Sequence, residues 1–315
     1  MRDVIAAPVR RPGHLASSRD LDRTTIDDLL LRAGRMATRP GDAAHRLGGK
    51  ILASLFYEPS TRTRFSFESA MLRLGGQVLS AADAMSESSA AKGETLEDTV
   101  RVVAEYVDGI ALRHPEKGAA RRAADASRVP VINAGDGAGE HPTQALLDLF
   151  TIQQELGRLD QLRVGLAGDL RHGRTVRSLG LLLAYFAGTE LVLIAPPELQ
   201  LEADVRDQLR GAGVTLRDEP DLGEAIGELD VLYQTRIQRE RFASPAAYER
   251  VRGIYVVDPA MMRRLPPDAI LMHPLPRLDE IAPAVDADPR AAYFRQARNG
   301  LPVRMAILDW LLGPA

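Results

Sequence analysis

The chain has 315 residues, 45% of them apolar and 26% charged, with a formal net charge of -3. That length suits two domains of roughly 150 residues each, and the near-neutral charge excludes a protein built to coat a polyanion or a membrane surface. Cysteine is absent, which removes disulfides, thiolate metal sites and cysteine nucleophiles together, and no apolar run reaches the length of a membrane span.

The residues up to Leu15 carry Arg and Pro throughout and show no signal-peptide pattern, so the expected location is cytoplasmic, with no nucleic-acid or membrane partner. Four short apolar runs bounded by Gly, Pro, Asp or Asn predict buried strands at 51–57 (ILASLFY), 77–82 (QVLSAA), 109–114 (GIALRH) and 129–134 (VPVINA). Between them, 64–74, 95–107 and 118–127 carry helical patterns. The second of these starts on Thr95, with Glu97 and Asp98 placing negative charge in its first turn. A strong helix follows at 142–157.

A second series then begins. Strands are predicted at 162–168, 189–196, 213–218, 230–235, 253–257 and 269–275, with helices such as 175–187 between several of them. The final segment, 291–313, reads as a helix with one apolar face. Strand–helix alternation of this kind predicts an α/β chain of two doubly wound parallel-sheet domains joined by interdomain helices. The expected division is residues 1–142 with 298–315 as one domain and 143–297 as the other. In such sheets ligands sit at the carboxyl ends of the strands, which is where the charged clusters fall.

The first cluster is STRTR, residues 60–64. Ser60, Thr61 and Thr63 supply hydroxyls and Arg62 and Arg64 supply charge, just where a strand gives way to a helix. A helix N-terminus offers unsatisfied N–H groups and partial positive charge, so the combination suits a phosphate or another compact oxyanion. The plainer alternative is a capped helix with solvated arginines. The glycine spacing of a P-loop is missing.

Arg113 and His114 close the strand at 109–114 and would lie beside STRTR if the two strands are neighbours. His141 and Gln144 open the helix at 142–157, and a neutral imidazole there could polarise a carbonyl. Lys92 stands in a small-residue loop with Ser88, and it is one of only three lysines in the chain, beside Lys50 and Lys117. Taken singly, Arg113 and Lys92 read equally well as surface charges and His141 reads better as a structural residue, but His141 together with Arg113 and Thr63 forms a set suited to polarising an electrophile. Arg174 in GDLRHGRT, and Arg236 and Gln238 in TRIQRER, put paired-hydrogen-bond donors for carboxylates on two further loops. The loop after 162–168 lacks the GxGxxG spacing of a dinucleotide site. Finally, MHPLPR (272–277) makes a proline-rigid turn whose carbonyls no helix satisfies.

STRTR, LRHP, HPTQ, GDLRHGRT, TRIQRER and HPLPR, in this order and spacing, resemble the aspartate and ornithine carbamoyltransferases over nearly the whole chain from Asp20. HPLPR and TRIQRER resemble the aspartate branch; the ornithine branch typically carries a cysteine at the corresponding HCLP, and this chain has none. The resemblance implies transfer of the carbamoyl group of carbamoyl phosphate to L-aspartate in de novo pyrimidine biosynthesis, with no cofactor and no metal.

Carried over residue by residue, Ser60, Thr61, Arg62 and Thr63 would hold the phosphate with Arg113. Thr63, Arg113 and His141 would polarise the carbonyl, and Gln144 would hold the carbamoyl nitrogen. Arg174, Arg236 and Gln238 would grip the two carboxylates of aspartate, and carbonyls around Leu275 and Pro276 would orient the amine and the carbamoyl nitrogen. The resemblance further implies a homotrimer in which Ser88 and Lys92 act in the neighbouring chain's site. Ala91 departs from the commonest form of that loop, where a second lysine stands. Arg64 is expected to brace the turn through Glu68 or Glu58. The stretch 133–152 resembles types that associate with a regulatory chain. The alternatives are a carbamoyltransferase for another amino acid such as ornithine, and an inactive paralogue kept for assembly or regulation.

Overall fold

A computed structural model describes residues 13–84, 93–239, 242 and 244–314. The chain divides into two compact units, one running to Asp136 and resuming at Leu301, the other Gly137–Gly300.

In the first unit, β1 (Ile51–Phe56), β2 (Gln77–Ala81), β3 (Gly109–His114) and β4 (Val131–Asp136) form a parallel sheet in the order β2-β1-β3-β4. Strands with both faces covered read as apolar runs, and β3 and the end strand β4 are buried at every position. The edge strand β2 is mostly exposed. Helices α1 (Arg23–Thr38), α2 (Thr61–Arg73), α3 (Leu96–Val103) and α4 (Ala119–Ala126) accompany the sheet.

The second unit holds α5 (Pro142–Leu156), then β5 (Arg163–Ala167), α6 (Arg174–Leu183), β6 (Glu190–Ile194), α7 (Ala203–Gly211), β7 (Thr215–Asp218), β8 (Val231–Gln234) and β9 (Ile270–Met272). Its five strands are also all parallel, in the order β7-β6-β5-β8-β9.

The last helix, α8 (Tyr293–Leu312), carries the chain from the second unit back into the first. Within the first unit its Arg304 guanidinium lies 5.0 Å from the Phe67 ring centroid. A Cβ on Gly109 would come within 3.0 Å of the end of the Leu312 side chain, so β3 and the helix pack tightly at this glycine. Asp309, almost fully buried, accepts from Arg32 at 3.0 Å and from Arg46. Within the second unit, α5 and the start of α8 share a polar seam: Gln296 donates to Asp148 at 2.7 Å, Asn299 to Thr151 at 3.1 Å, and Arg295 to Glu155 at 2.6 Å.

Three local expectations are corrected. Residues 253–257 form no strand. Gly253 has φ +70°, and the Tyr255 carbonyl accepts from the Gln234 side chain at 3.3 Å instead of from a strand ladder; only Val257 makes an isolated parallel bridge, to Ile281. The helix expected over 95–107 ends at Val103, where Glu105 N–H and Tyr106 N–H turn to the carbonyls three residues back. The helix expected from Arg64 begins at Thr61, so most of STRTR is the first turn itself.

Candidate functional site

Each sheet has one point where the chain reverses its direction of growth. In the first unit β1 is followed by β2 on one side, then by β3 and β4 on the other, so the switch lies between β1 and β3. In the second unit it lies between β5 and β8. Crevices at such points are the usual ligand sites of open parallel sheets, and the predicted residues border both.

The first unit's cluster follows from strand pairing. Phe56 is in register with Arg113, and Tyr57 N–H donates to the Arg113 carbonyl at 2.9 Å. The residues after β1 therefore start beside the end of β3. Ser60 is the N-cap of α2 and makes no side-chain capping bond, while its carbonyl accepts from Arg64 N–H at 3.1 Å. The N–H groups of Thr61, Arg62 and Thr63 precede that first intrahelical bond and point out of the helix end, the arrangement that binds anions.

Thr63 is buried. Arg62 is exposed overall, yet burial around its guanidinium pulls its pKa down from the ordinary value, with no acid offsetting it. Among the described residues Arg62 has no ion-pair partner. Arg113, also buried, forms an ion pair with Glu58 at 2.8 Å. Arg64 reaches Glu68 at 4.0 Å and donates to Ser80 at 3.3 Å. Of its two expected partners Arg64 thus takes Glu68, while Glu58 pairs with Arg113. His114 is a structural residue: its Nδ1 accepts from Glu116 N–H at 3.1 Å and its ring lies 5.0 Å from that of Tyr57. Burial, the largest influence, lowers its pKa.

The second unit's cluster is built on loops after adjacent strands β5, β8 and β9. Gly168, which closes β5, has φ +111°, and a Cβ there would sit 2.3 Å from the Thr235 carbonyl oxygen. Only glycine lets the loop carrying Arg174 lie this close to the loop carrying Arg236. Arg174 opens α6 and donates to the Gly137 carbonyl at 2.9 Å. Gln238 donates to the His172 carbonyl at 3.4 Å. Asp169, fully buried, accepts from His172 N–H at 3.0 Å and lies 3.1 Å from His172 Nδ1, which shapes the turn between Gly168 and Arg174. Arg236 follows β8 and is half-buried.

His141 is buried at the N-cap of α5, its N–H donating to Ser178 of α6 at 2.9 Å. That bond and the Arg174–Gly137 bond bring 137–144 against the start of α6. Gln144 follows one turn on and donates its amide to Asp148 at 2.9 Å.

The 273–278 turn is held from within. Leu275 N–H donates to His273 Nδ1 at 2.8 Å, so the proton of this imidazole is on Nε2, which donates to Glu280 at 2.8 Å. Burial pushes the Glu280 carboxyl up, but the His273 bond and nearby backbone N–H groups outweigh it and hold the pKa below its ordinary value. Leu275 has φ +53° and precedes a cis peptide bond to Pro276. A leucine is rarely found in this left-handed region, and the bond to His273 fixes it there.

The structure thus gathers Ser60, Thr61, Arg62, Thr63 and Arg113 in one unit, and His141, Gln144, Arg174, Arg236, Gln238, Leu275 and Pro276 in the other. Ser88 and Lys92 lie outside the described residues. Asp148, Asp169 and Glu280 are not among the residues expected from the sequence, and Glu58, expected beside Arg64, pairs with Arg113 instead. Asp148 did carry a signal: it is a lone acid inside the apolar run ALLDLF. Among the described residues no group of three or more acids and histidines could hold a metal ion, and no helix is long and apolar enough to cross a membrane.

Residues 13–154 match the family described as aspartate/ornithine carbamoyltransferase, carbamoyl-P binding domain, and residues 160–311 match its Asp/Orn binding domain. A chloroplastic aspartate carbamoyltransferase of Arabidopsis thaliana is 58% identical over 267 residues, covering 84% of this chain and 68% of that protein. The aspartate carbamoyltransferase catalytic subunit of Methanopyrus kandleri is 52% identical over 301 residues, covering 94% and 96%. Among solved structures, the aspartate transcarbamoylase of Trypanosoma cruzi in complex with carbamoyl phosphate and aspartate superposes with a TM-score of 0.90 at 42% identity, covering 96% of this chain and 98% of that one.

Proposed function

The chain belongs to the aspartate/ornithine carbamoyltransferase family, and on that premise we propose that it transfers the carbamoyl group of carbamoyl phosphate to the α-amine of L-aspartate, giving N-carbamoyl-L-aspartate and phosphate. The observation that carries the reading is the anion site at the start of α2, where open N–H groups, Thr63 and an arginine with no acid to offset it stand beside Arg113. Phosphate is the anion this arrangement fits.

In this reading Ser60, Thr61, Arg62, Thr63 and Arg113 hold the phosphate of the first substrate. Thr63, Arg113 and His141 draw charge toward the carbonyl oxygen, and Gln144 holds the carbamoyl nitrogen. Arg174, Arg236 and Gln238 take the two carboxylates of aspartate, for which forked guanidinium donors are suited. The Leu275 and Pro276 carbonyls accept from the amine. The amine lone pair forms the new C–N bond, the C–O bond to phosphate breaks, and the surplus proton of the amine leaves with the phosphate. Positioning and charge stabilisation supply the acceleration.

The same proposal takes the unit that contains α2 as the carbamoyl phosphate-binding domain and the other as the aspartate-binding domain. It includes a homotrimer with Ser88 and Lys92 acting in the neighbouring chain's site. Phe65 and Leu72 on α2 and Leu79 on the edge strand β2 are each more than half exposed, apolar surface of the kind that a second copy covers. A regulatory chain and a cytoplasmic location belong to the proposal too; several plant relatives are named chloroplastic.

The test is phosphate release from carbamoyl phosphate by purified protein with L-aspartate, with L-ornithine, or with neither. Release that depends on aspartate supports the reading. Release with ornithine alone makes it an ornithine enzyme, and binding without release under any condition makes it an inactive paralogue.

A further inference from the structure

Asp148 is fully buried on α5, and three separate elements donate to it. Its Oδ1 accepts from Gln144 Nε2 at 2.9 Å and from Gln296 Nε2 at 2.7 Å, and its Oδ2 accepts from the Tyr233 hydroxyl at 2.8 Å. Gln296 in turn accepts from His273 N–H at 2.9 Å through Oε1, and His273 holds Leu275. One carboxylate therefore links the start of α5, strand β8 and, through Gln296, the turn that carries Leu275 and Pro276. Burial and the Asp148 charge both push the Tyr233 hydroxyl well above its ordinary pKa, so its proton stays committed to Asp148.

A side-chain amide can be turned either way, and the partner decides which end faces outward. An ionised carboxylate only accepts, so Gln144 gives its NH2 to Asp148 and is left with Oε1 as the outward group. An outward oxygen reads a donor. The carbamoyl NH2 is a donor, whereas the methyl of acetyl phosphate, otherwise of the same shape, is not.

We propose that Asp148 is a positioning residue that sets selection for carbamoyl over acyl phosphates by fixing Gln144 with its oxygen outward. The inference rests on the role given to Gln144 in the proposed function. Asp148 acts through Gln144 and touches no substrate itself.

The test uses the full-length Asp148→Asn variant and measures affinity for carbamoyl phosphate and for acetyl phosphate separately. An asparagine has one acceptor oxygen for three donors and an NH2 of its own, so Gln144 loses its fixed orientation. The expected result is a loss of about tenfold or more in carbamoyl phosphate affinity, as for a mispaired buried polar group, with acetyl phosphate affinity changed by less than about threefold, the ordinary context-dependent scatter of such measurements. In a Gln144→Ala background the same substitution is expected to have little further effect on carbamoyl phosphate, because the intermediary is gone.

Equal losses for both phosphates, or additive losses in the double variant, overturn the inference. If Asp148→Asn fails to fold, Gln296→Leu, which removes one donor and leaves the Gln144 bond, serves instead: it is expected to keep the selection ratio, and loss of the ratio there overturns the role of Gln144. Failure of the parent reading looks different, since the unaltered protein would then not distinguish the two phosphates at all.

Discussion

Arg113 and Glu58 form a 2.8 Å ion pair across the switch point of the first sheet, although 55 positions separate them in the chain. The guanidinium assigned to phosphate is thus also engaged by a carboxylate. Phosphate has to compete with Glu58 for the same donors. The Glu58→Gln variant is therefore predicted to bind inorganic phosphate about three- to tenfold more tightly, the scale of one partly exposed charge pair. Isothermal titration checks this, and weaker binding would identify Glu58 as a strut that orients Arg113.

The shared site of the proposed trimer makes a prediction about mixtures. Arg62→Ala and Lys92→Ala are each expected to be nearly inactive as pure proteins. Arg62 belongs to a chain's own anion site, whereas the resemblance gives Lys92 to its neighbour's. Unfolding and refolding the two variants together is expected to restore activity, because some mixed trimers contain a site with both residues intact. A mixture no more active than its components would place both residues in one chain's site.

Gly168 brings the Arg174 and Arg236 loops together, and that close approach can be tested as stability. A methyl group 2.3 Å from the Thr235 carbonyl and 2.7 Å from its hydroxyl cannot be accommodated without backbone movement, and φ is +111°. Gly168→Ala is predicted to lose about 2–4 kcal/mol, from overpacking plus a left-handed backbone. Denaturant unfolding measures it; an unchanged midpoint would contradict the close approach.

Acid stability should register the His273–Glu280 bond. The folded pKa of Glu280 lies below its ordinary value of 4.5. A carboxyl with a depressed folded pKa contributes stability that is fully present above the unfolded value and is lost as the pH falls through the folded one. Glu280→Gln should therefore be less stable than the unaltered protein at neutral pH, with the gap closing below about pH 4.5, the unfolded carboxyl value. Thermal melts across pH 3 to 7 would show this, and a gap independent of pH would contradict it.

Most of the parallel-strand framework was legible because buried strands are continuous apolar runs between Gly, Pro and Asn, as in 109–114 and 189–196. The run 253–257 looks the same, yet the side chain of Gln234 and the positive φ of Gly253 take it out of the sheet. Apolar runs state burial and say nothing about which backbone partner is available. The site residues were legible where charge and hydroxyls crowd a strand–helix junction, as at Ser60 to Arg64.

The supporting acids were not, for a physical reason. Glu58, Asp169 and Glu280 act through partners chosen by the fold, and an isolated acid in a loop is ordinarily a solvated one. Glu280 pairs with His273 only because a turn at Leu275 and Pro276 brings them back together. Asp148 was the exception, since a carboxylate in the apolar face of a helix must find donors. Nothing in the spacing said which donors they would be.

The most direct test of the account is one reaction containing carbon-labelled carbamoyl phosphate with equal amounts of L-aspartate and L-ornithine, read by product mass. Labelled N-carbamoyl-L-aspartate is expected, accumulating with phosphate in equal amounts, with no labelled citrulline. Labelled citrulline as the product, or neither product while carbamoyl phosphate stays bound, would contradict it.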